Sequence, residues 1–385
     1  MRSWKSLGSF ASLAVLFAGA LSAGDVVVPE EEGGALQVTP VTALSAALAD
    51  TRTATYYGAT VRSIYVNQPA ASIIGIPSAL SQFGPGGGVV AIIDTGIDPF
   101  HPALAGVLVP GYDFLRNVTG IPNEWLDLTP AQAAALAGSM SVPVSQKTMP
   151  VTVSTSAVPI LDQSTVVILD GGGATLPGEF GHGTMVAGLV HLVAPAAKIM
   201  PLRAFSSSGT ADAATVAAAI LYAADHGANV VNMSFSVATN DPQLQSAIAY
   251  AASKGLILVA SSGNDGSQNV VYPAGYPQVV GVGSVNNADL RSVFSNYDSM
   301  SARTSAPGEA LITTYPGNNY AGVWGTSFST ALVSGAAAMV FHVSHRGSAS
   351  PIYAGKPIEQ EMGDTRLMVP SAVSSALSPE VQDPD

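Results

Sequence analysis

Five short stretches of this 385-residue chain are apolar at nearly every position: residues 89–93, 199–202, 230–233, 256–260 and 279–282. None alternates apolar with polar residues, as a half-exposed strand would. Short continuous runs that end in small or polar residues suit strands covered on both faces, the situation inside a parallel sheet. Helix-like stretches lie between them, at residues 211–226 and 243–254, and another opens at His182. This alternation predicts an α/β fold, a three-layer α/β/α sandwich around a mainly parallel central sheet. In such sheets chemistry gathers just past the carboxyl ends of the strands, and Asp94 and Asn264 each follow closely on one of the runs.

Two regions depart from the rhythm. Residues 115–177 hold a helix signal at Thr129-Pro130 and then Thr/Val-rich, strand-like pieces ending in Gly171-Gly172-Gly173, and they read as an insertion. Residues 24–65 mix an acidic trio, Glu30-Glu31-Glu32, with an Ala-rich helical patch, and they read as a leader or short prosegment, with globular sequence starting near Val66. The main domain is therefore expected over residues 66–377, followed by an acidic tail at 378–385.

At the N-terminus Arg2 and Lys5 precede an apolar stretch over residues 10–21 that only small residues interrupt. That is the pattern of a signal peptide over residues 1–23, with cleavage after Ala20 or near Ala23. The competing reading is a membrane anchor, for which the stretch falls short of the ~20 residues a span needs. The expected location is secreted or periplasmic, with no stable membrane insertion once the signal is removed and no other segment with enough uninterrupted apolar residues to cross a bilayer.

Composition narrows the function classes. Apolar residues make up 48% and charged residues 10%, against roughly 25% charged in an ordinary soluble domain, so a sizeable buried core is expected. The net charge of −12 and the absence of any Lys/Arg cluster argue against nucleic acid as a partner. With no cysteine, thiolate catalysis, disulfides and Cys-ligated zinc are excluded.

Four short motifs carry candidate chemistry, and each has a bland alternative. Asp94 in Asp94-Thr95-Gly96-Ile97-Asp98 can orient a histidine, or it can simply cap a turn. His182 in Gly181-His182-Gly183-Thr184 opens an apolar helix between two glycines where other backbone can approach closely, or it is a satisfied surface residue. Asn264 in Ser261-Ser262-Gly263-Asn264-Asp265-Gly266 offers an amide donor for an oxyanion, or it belongs to an ordinary Gly/Asn turn. Ser327 in Gly325-Thr326-Ser327-Phe328-Ser329-Thr330 stands at a helix start, where free N–H groups favour developing negative charge, or a hydroxyl there merely caps the helix. The other histidines, His101, His191, His226, His342 and His345, have no comparable setting.

Together, in the chain order Asp, His, Asn, Ser, these motifs resemble the subtilisin-like serine peptidases, one of the three chain orders in which the Ser-His-Asp triad occurs. The resemblance runs from about Val66 to the end of the chain, excluding the insertion. It extends to Gly183 through Gly188, to the stretch ending Asn232-Met233-Ser234, to Phe294-Ser295-Asn296-Tyr297, to Ala306-Pro307-Gly308 and to Arg366-Leu367-Met368-Val369. It implies a subtilisin-like fold and a secreted, monomeric serine endopeptidase acting on polypeptides through an acyl-enzyme. The implied catalytic residues are Asp94, His182 and Ser327, with Asn264 and the Ser327 N–H in the oxyanion hole. Ser234, Phe235, Ser236 and Gly263 would bind substrate. No cofactor is implied for catalysis; structural calcium is a family habit without an assignable loop, Asp162 and Asp170 being acidic candidates that solvent alone would also explain.

Three positions depart from the family pattern: Met185 where a second His is common, Ser236 where Gly is usual, and Ala331 where Pro usually follows the nucleophile. The alternatives are an inactive binding or structural protein on the same fold and a different serine hydrolase. The absence of a Gly-x-Ser-x-Gly elbow speaks against the latter.

Overall fold

Among the described residues of the computed structural model, which are residue 44 and residues 47–137, 144–147, 160–161, 165–169, 176–358 and 363–378, ten strands join in the central sheet. Numbered in chain order these are β1 (Val89–Asp94), β2 (Gly111–Asp113), β3 (Val118–Gly120), β4 (Lys198–Arg203), β5 (Val230–Met233), β6 (Ile257–Ser261), β7 (Val279–Val285), β8 (Thr304–Pro307), β9 (Lys356–Pro357) and β10 (Thr365–Arg366). Their spatial order is β9-β10-β8-β7-β6-β5-β1-β4-β2-β3. Every pairing from β10 to β2 is parallel, and only the edge strands β9 and β3 run antiparallel.

The continuous apolar runs divide by residue parity between two cores. On β1, Val90 and Ile92 belong to one and Ala91 and Ile93 to the other; on β6, Ile257 and Val259 oppose Leu258 and Ala260. The helices α1 (His182–Val193), α4 (Thr326–Ser344) and α5 (Val369–Leu377) cover the first face, while α2 (Ala213–Asp225) and α3 (Pro242–Ser253) cover the second. This is the three-layer α/β/α sandwich. β1 continues through α1 into β4 on one side, and β5 then lies on the other, so the strand order reverses around β1 and opens a crevice at its carboxyl end.

α4 is the centre of the first core. Thr326 through Val340 are all buried. By length and composition alone this 19-residue helix could cross a membrane, although Thr326, Ser327, Ser329, Thr330, Ser334 and His342 interrupt its apolar residues. Here it is a core helix, and its Ala, Gly and Ser residues let the sheet and α1 approach closely.

Structure begins before Val66. An antiparallel hairpin pairs Thr53–Tyr56 with Ala59–Arg62, and Leu44, Leu48, Val61 and Tyr65 are core residues. Tyr65 donates to the Gly188 carbonyl at 2.5 Å, and the Gln68 amide both donates to the Ile312 carbonyl and accepts its N–H, at 2.7 and 2.9 Å. Residues 165–169 and 144–147 add strands to a separate four-stranded antiparallel sheet in the order 311–315, 319–324, 165–169, 144–147. A further pair, Ile160–Leu161, runs antiparallel to Phe235–Ser236 just after β5. The segment 1–23 expected to be a signal peptide, nearly all of the 378–385 stretch expected as a tail, and Asp162 and Asp170 lie outside the described residues.

Candidate active site

Asp94 is the last residue of β1 and His182 the first of α1. Both are buried, at 1% and 0% exposure. The imidazole Nδ1 lies 2.9 Å from each carboxylate oxygen. A carboxylate only accepts, so Nδ1 carries the proton and Nε2 is the basic nitrogen. The carboxylate is itself fixed, since Asp94 Oδ1 accepts the Thr95 N–H at 2.7 Å.

The glycine after the histidine makes this approach possible. A Cβ at Gly183 would stand 2.0 Å from the Gly96 carbonyl oxygen and 3.2 Å from Asp94 Cβ. Any larger residue would push α1 off the end of β1.

Ser327 is the second residue of α4. The helix opens at Gly325, whose φ of 146° and ψ of 155° lie in a region that glycine alone enters readily. Ser327 Oγ donates to the Ser234 carbonyl at 3.3 Å, and Ser234 Oγ donates back to the Ser327 carbonyl at 2.9 Å. Asn232 supports Ser234 through a 2.9 Å bond to its hydroxyl and accepts from Ser334 Oγ at 2.9 Å. The start of α4 is thereby tied to the end of β5. The Phe328 ring packs against the His182 ring with centroids 5.6 Å apart, which brings the histidine to the same helix start.

Asn264 follows β6, and its Oδ1 accepts both the N–H and the hydroxyl of Thr326 at 2.9 Å. The amide is thus oriented by the residue next to Ser327. Its loop is held from behind by Asn296, whose Oδ1 accepts the N–H groups of Asp265 and Ser267 at 3.1 and 3.2 Å and whose own N–H donates to the Gly263 carbonyl at 3.0 Å. Phe235 and Ser236 continue beyond Ser234 as a two-residue strand.

Glu124 was not singled out from the sequence, where it lies within the insertion. It is fully buried behind the Asp94–His182 pair. One carboxyl oxygen accepts the Gly181 N–H at 2.8 Å and the other takes the Thr184 hydroxyl, which in turn accepts the Asp98 N–H at 2.7 Å. Burial, with the charges of Asp98 and Asp94 adding to it, pushes the Glu124 carboxyl up to about 8 against the opposing hydrogen bonds from Thr184 and Gly181. At neutral pH it is therefore largely protonated. Three residues on, Asp127 anchors this segment to the end of β4 through Arg203 at 2.8 Å, and Arg116 bridges Asp127 to Asp113. No sequence signal marks Glu124, because its role exists only where the two loops meet α1.

Met185 packs into the first core. His101 and His191 are buried, and burial lowers the affinity of each for a proton, His191 to about 4. Among the described residues no group of three or more His, Asp or Glu gathers where it could hold a metal ion.

The model of the Subtilase family matches residues 85–352, a span that contains Asp94, His182, Asn264 and Ser327. The chain belongs to the subtilase family. This subtilase is 32% identical over 257 residues to the thermophilic serine proteinase of Bacillus sp. (strain AK1), a match covering 67% of the present chain and 53% of that protein. It is 32% identical over 278 residues to thermitase of Thermoactinomyces vulgaris, covering 70% and 79% of the two chains. Savinase, a subtilisin of Lederbergia lenta, is 35% identical over 185 residues, 44% of this chain and 68% of its own. The chain thus spans about half the length of the first of these relatives. In fold it superimposes on the crystal structure of a lanthipeptide protease with a TM-score of 0.61 at 19% identity, covering 80% of this subtilase and 94% of that chain.

Proposed function

We propose that this subtilase is a secreted serine endopeptidase that hydrolyses exposed polypeptide segments through Asp94, His182 and Ser327. The observation that carries the reading is the buried Asp94–His182 pair, with both carboxylate oxygens 2.9 Å from Nδ1, at the start of the helix that bears Ser327. Such a pair holds one tautomer and stabilises the imidazolium that forms when His182 removes the Ser327 proton. Ser327 Oγ attacks the scissile carbonyl, His182 passes the proton to the leaving amine, and water then releases the acyl group by the same route in reverse.

The negative charge that develops on the carbonyl oxygen needs fixed donors. The Ser327 N–H has no intrahelical acceptor at the second position of α4, and the helix N-terminus favours an anion there. The Asn264 amide, oriented by Thr326, supplies the second donor. An extended substrate pairs its backbone with the Ser234–Ser236 segment, the strand-addition mode of peptide binding, with Gly263 across the cleft. Secretion rests on the signal pattern over residues 1–23.

Active-site labelling with a fluorophosphonate tests the reading. The wild type is expected to label and to degrade casein, and Ser327→Ala to do neither. A folded wild type that resists the label, or one that hydrolyses small esters but no peptide, would overturn it.

A further inference from the structure

The helix that carries His182 begins without a cap of its own. Its N-cap, Gly181, has no side chain to offer, and a Cβ there would stand 2.6 Å from the Tyr315 ring, which disfavours the Ser, Thr, Asp or Asn that usually caps a helix. The Gly181 N–H is nonetheless buried, and its acceptor comes from 57 residues away, Glu124 Oε2 at 2.8 Å. The other carboxyl oxygen accepts from the hydroxyl of Thr184, two residues past His182. In a capping box, a Glu three residues into the helix reaches back to the N-cap N–H. Here that position holds Thr184, and Glu124 does the task from another segment.

Glu124 is in turn held to the loop that follows Asp94. The Ile97 N–H donates to the Pro122 carbonyl at 2.9 Å and the Glu124 N–H to the Ile97 carbonyl at 3.2 Å, while Asp127 is pinned to Arg203 at the end of β4. One side chain therefore ties the backbone just past Asp94 to the backbone on either side of His182. We propose that Glu124 is a positioning residue of this peptidase, a helix cap supplied from another segment that sets His182 against Asp94, an inference that rests on the endopeptidase reading. It meets no reacting atom and acts only through Gly181 and Thr184. Removing the carboxyl leaves the Gly181 N–H buried without its acceptor. The start of α1 regains a partner for that group only by moving toward water, and His182 moves with it.

The test uses the full chain and a chromogenic peptide, with active sites counted by fluorophosphonate labelling carried to completion, so that misfolded molecules drop out of the rate. Glu124→Ala is expected to lower kcat per labelled site about 10- to 100-fold, the consequence of shifting His182 by up to about an ångström, with KM little changed. Glu124→Gln keeps an oxygen for the Gly181 N–H and is expected to recover most of that loss. Thr184→Val removes the hydroxyl that bonds Glu124 and should lower kcat about tenfold, the equivalent of about one net hydrogen bond. Combined with Glu124→Ala it should add little, because both act on one network. In a Ser327→Ala background, the downfield proton resonance of the His182 Nδ1–H, bonded to Asp94, is expected to weaken or move upfield with Glu124→Ala and to persist with Glu124→Gln.

A Glu124→Ala enzyme with a lower melting temperature but an unchanged kcat per labelled site and an unchanged His182 resonance would overturn the proposal, since Glu124 would then serve stability alone; the endopeptidase reading would stand. If Glu124→Ala does not fold, Thr184→Val decides, and an unchanged kcat in that variant would overturn the proposal equally. A wild type that neither labels nor cleaves the peptide would overturn the endopeptidase reading, and the role of Glu124 in catalysis with it.

Discussion

Replacing Glu124 by Gln should make the stability of this protein less sensitive to alkaline pH. The carboxyl is fully buried, with its affinity for a proton raised to about 8 from an ordinary value of 4.5. Between those limits the native state keeps a proton that the unfolded chain has lost, so the unfolded state binds fewer protons and stability must fall as pH rises. The contribution is fully present below about 4.5, is lost progressively up to about 8, and is gone above that. One proton at about 1.4 kcal/mol per pH unit gives a loss of roughly 2–3 kcal/mol between pH 6 and pH 8, within a ceiling of about 5 kcal/mol for the whole interval. Gln keeps the shape and a carbonyl oxygen for the Gly181 N–H, and it does not titrate. Urea unfolding at pH 6, 7, 8 and 9 measures this directly in a Ser327→Ala background, where self-digestion cannot intrude. Fluorescence of Trp125, whose ring packs edge-on against Phe180 at 6.4 Å, is a local reporter. Relative to Glu124→Gln, the parent should weaken from pH 6 to 8 and level off above. Parallel curves for the two proteins would refute the assignment of a buried, protonated Glu124.

Two further substitutions probe the site. Asn264→Ala should lower kcat by roughly 10²–10³ with little change in KM, as expected for a donor used only by the oxyanion; a rise in KM at constant kcat would refute that role. Gly183→Ala places a methyl group 2.0 Å from the Gly96 carbonyl oxygen, so α1 must retreat. A loss of about 1–3 kcal/mol from overpacking should accompany a fall in kcat/KM of about 10²-fold, from displacing His182 by an ångström or so. An unchanged melting temperature with full activity would show that the close approach is not needed.

The elements legible in the sequence are those whose environment is uniform along their length. All five apolar runs became central strands, and residues 211–226 and 243–254 became α2 and α3 to within a few residues, because burial on both faces or on one helical stripe leaves its pattern in every residue. The start of α4 around Ser327 was legible from its motif, but what holds that start in place was not. Its first turn is polar and is organised from elsewhere, by Asn264 through Thr326 and by Ser234 through Ser327. The hairpin before Val66 escaped for the same reason: the Tyr56 hydroxyl and the Arg62 N–H find their partners at the Leu192 carbonyl and the Tyr320 hydroxyl, 136 and 258 positions away.

By itself the sequence determined which residue types were available and in what order: an Asp closing a strand, a His between glycines, an Asn in a turn and a Ser at a helix start, on a chain whose apolar runs demanded a parallel sheet. Short-range chemistry of that kind is written locally. Tertiary structure decided the rest. It brought Asp94 and His182, 88 residues apart in the chain, to 2.9 Å, buried Glu124 behind them, and laid Ile160–Leu161 beside Phe235–Ser236. A strand edge will pair with any extended backbone regardless of its side chains, so no pattern in the insertion announced where it would lie. A carboxyl likewise keeps its proton at neutral pH only when surrounding elements exclude water, a property that belongs to the fold and to no residue alone.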